Sequence, residues 1–263
     1  MSSAALAGNP WFACLQPNPL ARLRLFCFPY AGGRASIFRG WHLHLAPLVE
    51  VVPVELPGRG ARFREGLHSE IGALAEGVLE ALGPALDLPF AFFGHSMGAH
   101  VSFELARRLA RRGGPLPERL LLAAACPPHL SFEGIPSHEL SEEAFVDRLR
   151  HYAGTPQAVL DNSEIMAAML PVIRADLQVS ETYHLDRSEA VEVPIGILCG
   201  KEDAIARPRE MERWAELTAR GSNFYLLPGG HFFLHTAEKQ VLRLLLKELH
   251  EAAAALLGAP AAV

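Results

Sequence analysis

Short segments in which nearly every residue is apolar recur along the chain, and glycine- or proline-rich turns separate them. Such runs are typical of strands that are covered on both faces of a parallel sheet. The six runs are residues 23–28, 50–54, 89–93, 119–126, 193–199 and 223–227. A shorter run at residues 11–15 is consistent with an antiparallel strand at the edge. The pattern predicts a mostly parallel central sheet of about seven strands.

Amphipathic helical patterns lie between these runs. Residues 69–86 carry one continuous apolar stripe, and Ser69 is the expected N-cap. Residues 97–112 carry a second stripe that ends in arginines followed by two glycines, as a helix C-terminus does. Residues 236–257 are expected to form the closing helix. Because strand and helix alternate, the sequence predicts an α/β protein with helices on both faces of the sheet.

One long segment interrupts this alternation. Residues 130–191 contain helical patterns, at residues 142–151 and 162–184, and no strand-like run. We interpret the segment as a helical lid inserted between two strands of one domain that spans residues 1–263. Met166, Met169 and Leu170 are expected either to line an acyl chamber beneath the lid or to pack the lid onto the core.

The strongest chemical signal is a G-x-S-x-G turn, Gly94-His-Ser-Met-Gly98, between an apolar run and a helical pattern. In this setting the serine occupies a strained turn, with its hydroxyl exposed beside a helix N-terminus. The glycines two positions before and after it let strand and helix approach closely. The motif predicts Ser96 as a nucleophile.

A nucleophilic serine needs a base and an acid that orients the base. In this architecture they follow the serine in the order acid, then histidine, on loops after later strands. Asp203 and His231 each lie just beyond such a run, and Glu202 is the alternative acid. Asp176 and Asp186 fall in the lid segment and are weaker candidates. His95, beside the nucleophile, is expected to support packing of the turn.

Acyl transfer also needs donors for the oxyanion. The backbone N–H of Met97, directly after the nucleophile, is one candidate. The glycine-rich loop at residues 28–33 is expected to supply the second. Neither a phosphate-binding loop nor a dinucleotide fingerprint is completed in the sequence, so we expect no cofactor.

Composition and charge narrow the function classes. The 263 residues carry a formal net charge of −5, so there is no overall basic footprint for nucleic acid. The apolar runs are too short to cross a bilayer, and residues 1–12 do not read as a secretion signal. The four cysteines occur singly, which favours reduced cysteines in a cytoplasmic protein over a disulfide framework or a zinc site.

Five motifs together resemble the type II thioesterases, discrete partners of modular polyketide synthases and nonribosomal peptide synthetases in the α/β-hydrolase superfamily. In chain order they are Phe28-Pro-Tyr-Ala-Gly-Gly33, Leu56-Pro-Gly-Arg-Gly60, Gly94-His-Ser-Met-Gly98, Gly200-Lys-Glu-Asp203 and Pro228-Gly-Gly-His231-Phe-Phe-Leu. The resemblance spans roughly residues 10–250 and is weakest in the lid segment.

This resemblance implies an α/β-hydrolase fold in which Ser96 is the nucleophile, His231 the base and Asp203 the acid. It also implies that Ala31 and Met97 are the backbone oxyanion donors. The implied substrates are acyl thioesters on the phosphopantetheine arm of an acyl or peptidyl carrier protein, and the implied role is removal of stalled or aberrant acyl groups. From the residues alone, a general carboxylesterase, a lipase-type hydrolase, an acyltransferase and a non-catalytic relative stay open.

We expect a monomer that acts on a carrier protein and binds neither nucleic acid nor membrane. Because the chain is net negative and carriers are usually acidic, docking would need a local cationic patch. Arg59, Arg62 and Arg64 are one candidate patch, and three solvated loop arginines are the alternative.

Overall fold

A computed structural model describes residues 6–130, 134–152, 154, 157–186 and 189–258. The strands are β1 (Leu23–Phe28), β2 (Val49–Pro53), β3 (Phe90–His95), β4 (Arg119–Ala123), β5 (Ile195–Gly200) and β6 (Ser222–Leu227). The helices are α1 (Trp41–Leu45), α2 (Ile71–Leu82), α3 (Met97–Arg111), α4 (Glu142–Tyr152), α5 (Gln157–Leu160), α6 (Ser163–Glu181), α7 (Pro208–Met211), α8 (Phe233–Thr236) and α9 (Glu238–Gly258).

Within these residues the strands form one sheet of six strands in the order β2-β1-β3-β4-β5-β6, and all neighbours are parallel. The parallel sheet is confirmed, with six strands instead of about seven. The strand order reverses between β1 and β3, because β2 lies on one side of β1 and β3 on the other. Ligands of open α/β sheets bind in the crevice beyond the carboxyl ends of the strands at such a reversal.

The predicted edge strand at residues 11–15 is wrong, since Pro10–Phe12 form a short 3₁₀ helix. The Asn9 side chain accepts a hydrogen bond from the Trp11 N–H, and Pro10 fits the first turn because it has no N–H to satisfy. Phe12 is buried against the ring of Phe26 in β1. The segment therefore covers the sheet instead of extending it.

The core lies on both faces of the sheet, as the continuous apolar runs predict. All residues of β1, β2, β3 and β5 are buried. Along β3, Phe90 and Phe92 pack into the core on one face, and Ala91 and Phe93 pack into the core on the other. The edge strand β6 differs, because it buries Leu227 and leaves its other residues partly or fully exposed.

Helix boundaries depart slightly from the predicted ones. The first long helix begins at Ile71 with Glu70 at the N-cap, and no side chain caps it, so the expected cap at Ser69 is wrong. The apolar stripe locates the buried face of a helix but does not determine its first residue. No helix in the described part of the chain is long and apolar enough to cross a membrane.

Residues 130–191, which we call the lid, lie between β4 and β5 and contain α4, α5 and α6. Phe145, Met166 and Leu170 pack together in a small apolar cluster that is built from lid residues, and Met169 packs against it. In the described part of the chain, Met166, Met169 and Leu170 thus pack within the lid, and both expected roles, lining the chamber and packing onto the core, are wrong for them. Ile173 and Leu177, further along α6, face the cavity described below.

Candidate active site

Ser96 stands in the turn between the carboxyl end of β3 and the first residue of α3. Its backbone φ is +54°, a value that residues other than glycine rarely adopt. This is the strained geometry expected at the turn. A Cβ atom at Gly94 would overlap the Gly98 carbonyl, and one at Gly98 would overlap the Phe28 carbonyl at the end of β1. Both glycines are needed because strand, helix and neighbouring strand meet here.

Three predicted side chains meet at this edge of the sheet. His231 Nε2 lies 3.1 Å from Ser96 Oγ, and His231 Nδ1 lies 3.0 Å from Asp203 Oδ2. Asp203 follows β5 and His231 follows β6, so the parallel strands deliver both side chains to the edge where β3 delivers Ser96. A carboxylate can only accept hydrogen bonds, so His231 Nδ1 must carry the proton that is donated to Asp203. His231 Nε2 is then free to accept a hydrogen bond from the Ser96 hydroxyl.

Burial and further hydrogen bonds hold the acid in place. The Asp203 side chain is fully covered, and its Oδ1 accepts from the N–H groups of Ile205 and Ala206 at 2.8 and 2.9 Å. Glu202, the alternative acid, is exposed, and its hydrogen-bonded backbone lies beside the loop of Gly229. The geometry therefore favours Asp203 as the partner of His231.

His95 supports the histidine loop from beneath. It is fully buried, and its Nε2 donates to the backbone carbonyl of His231 over 2.9 Å. Burial, together with the neighbouring His231, lowers the pKa of His95 well below its usual range, so the ring stays neutral. Its ring also stacks on Phe232. His95 thus positions the backbone of His231, as the expected packing role requires.

The two predicted oxyanion donors flank the serine. Met97 is the first residue of α3, so its N–H has no acceptor within the helix. Ala31 lies in the loop after β1 and lines the same cavity as Ser96. Within the described residues, neither N–H group donates a hydrogen bond to the protein backbone. Both are therefore available to a bound oxygen atom.

A cavity of about 170 Å³ opens over the serine. Its sheet side includes Tyr30, Ser96, Ala125 and His231, and its lid side includes Leu149, Tyr152, Ile173 and Leu177. A wider, open cavity of about 990 Å³ adjoins it and shares His100, Cys126, Tyr152, Ser180, Glu181 and Ile205 with it. We call this second cavity the vestibule. The site is thus a narrow, mostly apolar chamber with a broader cavity beside it.

His100 joins the lid to the core in the wall that the two cavities share, a role that its sequence position did not reveal. Its Nδ1 accepts from the Ser180 hydroxyl at 2.7 Å, and its Nε2 donates to the Cys126 carbonyl at 2.8 Å. Burial lowers the pKa of His100, which keeps the ring neutral. Along the sequence His100 falls at helical spacing with the charged residues Glu104 and Arg107, so no local pattern marked it as buried.

Two of the three arginines expected in a docking patch are not available for docking. Arg59 is 6 % exposed and binds Asp176, and Arg62 is 5 % exposed, binds Glu65 and stacks over Trp11. Of the three, Arg64 is the exposed one. The patch of three available arginines is therefore wrong, because Asp176 buries Arg59 and the Trp11 ring covers Arg62. The alternative of three solvated arginines is wrong for the same reason.

A parallel sheet with a strained serine turn and acid and histidine on the following strand ends defines an α/β-hydrolase fold. The profile of the thioesterase domain family matches residues 23–249. The chain therefore belongs to this family of hydrolases, which act on thioesters.

Individual relatives agree with this assignment. The gramicidin S biosynthesis protein GrsT of Aneurinibacillus migulanus is 37% identical over 241 residues, 92% of this chain and 94% of that protein. The medium-chain S-acyl fatty acid synthase thioesterase of Homo sapiens is 38% identical over 228 residues, 85% of each chain. The solved structure of RedJ, a thioesterase of the prodiginine pathway in Streptomyces coelicolor, has a TM-score of 0.83 and 37% identity over 94% of this chain and all of that chain. Further relatives are type II thioesterases of nonribosomal peptide and polyketide pathways.

Proposed function

We propose that the protein hydrolyses acyl groups from the phosphopantetheine arm of acyl or peptidyl carrier proteins in polyketide or nonribosomal peptide biosynthesis. In this proposal it removes stalled or aberrant acyl units. The observation that carries the proposal is the hydrogen-bonded series Ser96, His231 and Asp203 at the floor of a lidded apolar chamber, in a chain of the thioesterase family. The names of the relatives supply the biosynthetic setting.

The first half-reaction transfers the acyl group to the enzyme. Ser96 Oγ attacks the thioester carbonyl carbon while its proton moves to His231 Nε2. The N–H groups of Ala31 and Met97 donate to the resulting oxyanion. When the tetrahedral intermediate collapses, the carbon–sulfur bond breaks, and the pantetheine thiolate leaves with the proton from His231. Asp203 holds the ring in the required tautomer and stabilises the imidazolium.

The second half-reaction releases the acid. A water molecule gives a proton to His231 Nε2 as its oxygen attacks the acyl-serine carbonyl. Collapse then breaks the bond to Ser96 Oγ, which recovers the proton from His231. The products are the free acid and the thiol of the carrier, and the enzyme returns to its starting state. No cofactor takes part in either step.

The chamber and the vestibule suit a long, flexible arm that carries an acyl group at its tip. The chamber, at about 170 Å³, is small beside the ~300–1,000 Å³ of pockets for drug-sized ligands, so we expect short acyl groups to fit best. Four arginines and two glutamates line the vestibule. Arg207 and Arg209 are exposed there, which favours an anionic partner although the chain is net negative. We further propose that the protein acts as a cytoplasmic monomer.

Deacylation of defined carriers tests the proposal. Carriers loaded with acetyl, butyryl, octanoyl and palmitoyl groups are incubated with the protein and followed by mass spectrometry, beside the matching acyl-N-acetylcysteamine thioesters and p-nitrophenyl esters. We expect kcat/KM to be highest for carriers with short acyl groups. Ser96→Ala should lose about 10⁴-fold or more in turnover, because the attacking oxygen is gone. Its melting temperature should stay unchanged, because only one oxygen atom of a half-buried residue is removed.

Other outcomes point to other functions. Equal turnover of oxygen esters and carriers would identify a general carboxylesterase, and acyl transfer to an added alcohol or thiol in place of water would identify an acyltransferase. A preference for octanoyl or longer carriers would favour fatty acid release, as the name of the human relative describes for that protein. If Ser96→Ala kept a tenth of the activity, Ser96 would not be the nucleophile.

A further inference from the structure

The loop that carries the predicted oxyanion donor Ala31 is held by the lid. The backbone N–H of Gly32 donates to Asp176 Oδ2 in α6 over 2.7 Å, and Asp176 is 3 % exposed. This N–H belongs to the peptide group that immediately follows Ala31. A lid carboxylate therefore constrains the backbone next to the atom proposed to bind the oxyanion.

Arg59 completes this connection from a third segment. Its guanidinium forms a two-pronged ion pair with Asp176, at 2.6 Å from Nη1 to Oδ2 and 2.7 Å from Nη2 to Oδ1. Nη1 also donates to the Gly33 carbonyl at 3.2 Å, and Nε donates to the Pro57 carbonyl at 3.2 Å. The loop after β1, the loop after β2 and α6 thus meet at one buried ion pair.

The loop after β1 is closely packed against α6 and forms a tight turn there. Gly32 has a φ of +74°, and a Cβ atom there would lie 2.6 Å from Cγ1 of Ile173. The Gly33 N–H closes the turn onto the Tyr30 carbonyl at 2.8 Å. Without the carboxylate, the Gly32 N–H would be left partly buried with no acceptor, which favours a different loop conformation.

We propose that Asp176 and Arg59 are a positioning pair that couples the seating of the lid to the oxyanion hole. The inference rests on the proposed function, because it concerns the aim of the Ala31 N–H. While α6 is seated, Asp176 holds the loop so that this N–H points at the thioester oxygen; when α6 lifts, the Gly32 N–H loses its acceptor. Acylation of Ser96 therefore waits until the lid has closed over the acyl group.

This role differs from that of the triad acid. Asp176 contacts Gly32 and Arg59, whereas Asp203 contacts His231. Loss of Asp176 should therefore weaken the stabilisation of the oxyanion without changing the proton transfer between Ser96 and His231.

Two matched double variants isolate the hydrogen bond to Gly32. Both carry Arg59→Met, which removes the buried cation. They differ only at position 176. Asp176→Asn keeps an oxygen that accepts the hydrogen bond from the Gly32 N–H, whereas Asp176→Leu has a similar size and no acceptor. Relative to the Asn variant, the Leu variant should lose about 10- to 100-fold in kcat, since removal of a complete oxyanion donor costs ~10²–10³-fold. KM for the acyl carrier should change by less than about twofold, since the substituted side chains do not line the cavity and affect only the aim of a donor to the oxyanion.

A second measurement separates positioning from a general loss of structure. A trifluoromethyl ketone analogue of the thioester binds Ser96 as a hemiketal with an oxyanion, so its inhibition constant should rise by the factor by which kcat/KM falls. The inhibition constant of the product acid should stay unchanged. If Asp176→Leu prevents folding, Asp176→Met on the same Arg59→Met background takes its place.

Equal kcat values for the two double variants would overturn the inference, as would a fall in kcat with no change in trifluoromethyl ketone binding. Neither result bears on the proposed function, which fails if the wild-type protein does not deacylate carriers. The wild-type measurement therefore comes first.

Discussion

The sheet and the lid contribute differently to the same site. Ser96, Asp203 and His231 come from turns at the carboxyl ends of strands whose neighbours are parallel and, from β1 to β5, almost wholly buried. The lid contributes the apolar wall of the chamber through residues such as Leu149 and Leu177. Its longest helix, α6, buries five of its 19 residues, all of which the structure describes. Ser96 and Asp203 thus follow fully buried strands, His231 follows the edge strand β6, and a thinner layer of lid residues covers the cavity above them.

The lid is also attached unevenly. The contacts of α6 and its following turn with the core come from its carboxyl-terminal half, through Asp176 to Gly32, Ser180 to His100, and Tyr183 to Glu104. Among the described residues, the apolar cluster around Phe145 is made by lid side chains alone. Because α4 packs on other lid residues, few contacts to the sheet must break when it opens. We therefore expect α4 to open independently of the sheet. The comparison teaches that α4 can open without disturbing the strand ends, whereas α6 is tied to the loop after β1 through Asp176.

Substitution of Asp203, the proposed acid, is the strongest test of the separate roles of the sheet and the lid. If the chemistry belongs to the sheet, Asp203→Asn should reduce kcat by at least about 10³-fold, because the amide favours the wrong tautomer of His231. Glu202→Gln is the matched control, one position away and exposed, and should stay within several-fold of wild type. Steady-state deacylation of an acyl carrier measures both. A reversed result would move the acid to Glu202 and remove Asp203 from the mechanism.

Hydrogen exchange examines the stability difference between the two regions. Amides of α4 should exchange at least about 100-fold faster than those of β3, because α4 has few buried contacts. An acyl-phosphonate bound to Ser96 should slow exchange in the lid and leave the sheet unchanged. Mass spectrometry of peptides from residues 142–152 and 90–95 provides the comparison. Equal protection in both, unaffected by the phosphonate, would contradict a moving lid.

The smallest expected effect concerns the vestibule. Arg207→Glu with Arg209→Glu should raise KM for the acyl carrier about three- to tenfold, since each exposed charge contributes up to ~1 kcal/mol. KM for the acyl-N-acetylcysteamine should not change, and the wild-type KM for the carrier should rise with salt. Arg22→Glu with Arg220→Glu is the matched control, because these exposed arginines precede β1 and β6 at the opposite edge of the sheet. Equal losses in both pairs would show that net charge, and not the vestibule, matters.

The sequence predicted most of the strands and helices because the residues of each element favour the same conformation that the fold requires. The buried parallel strands, the turn at Ser96 and the helix ending in arginines follow from the apolar runs and the glycines around them. The chain order serine, acid, histidine also pointed to Asp203 and His231. Where a short segment had two compatible conformations, as at Pro10–Phe12, the pattern favoured a strand, and packing onto Phe26 favoured a 3₁₀ helix.

The sequence by itself determined the sheet, the serine turn and the residues that gather beside that turn. The apolar runs, the glycines and the order of the motifs are all visible along the chain. Because the strands are parallel, the residues that follow them meet at one edge of the sheet. Tertiary structure alone decided the roles of Arg59, Asp176 and His100. A charged or polar side chain looks the same in sequence whether it is solvated or buried. Its partner can lie more than a hundred residues away, as Asp176 does from Arg59 at a separation of 117 positions, and no local spacing encodes that contact. The pair is buried where α6 lies against the loops after β1 and β2, so the contact exists only in the folded chain.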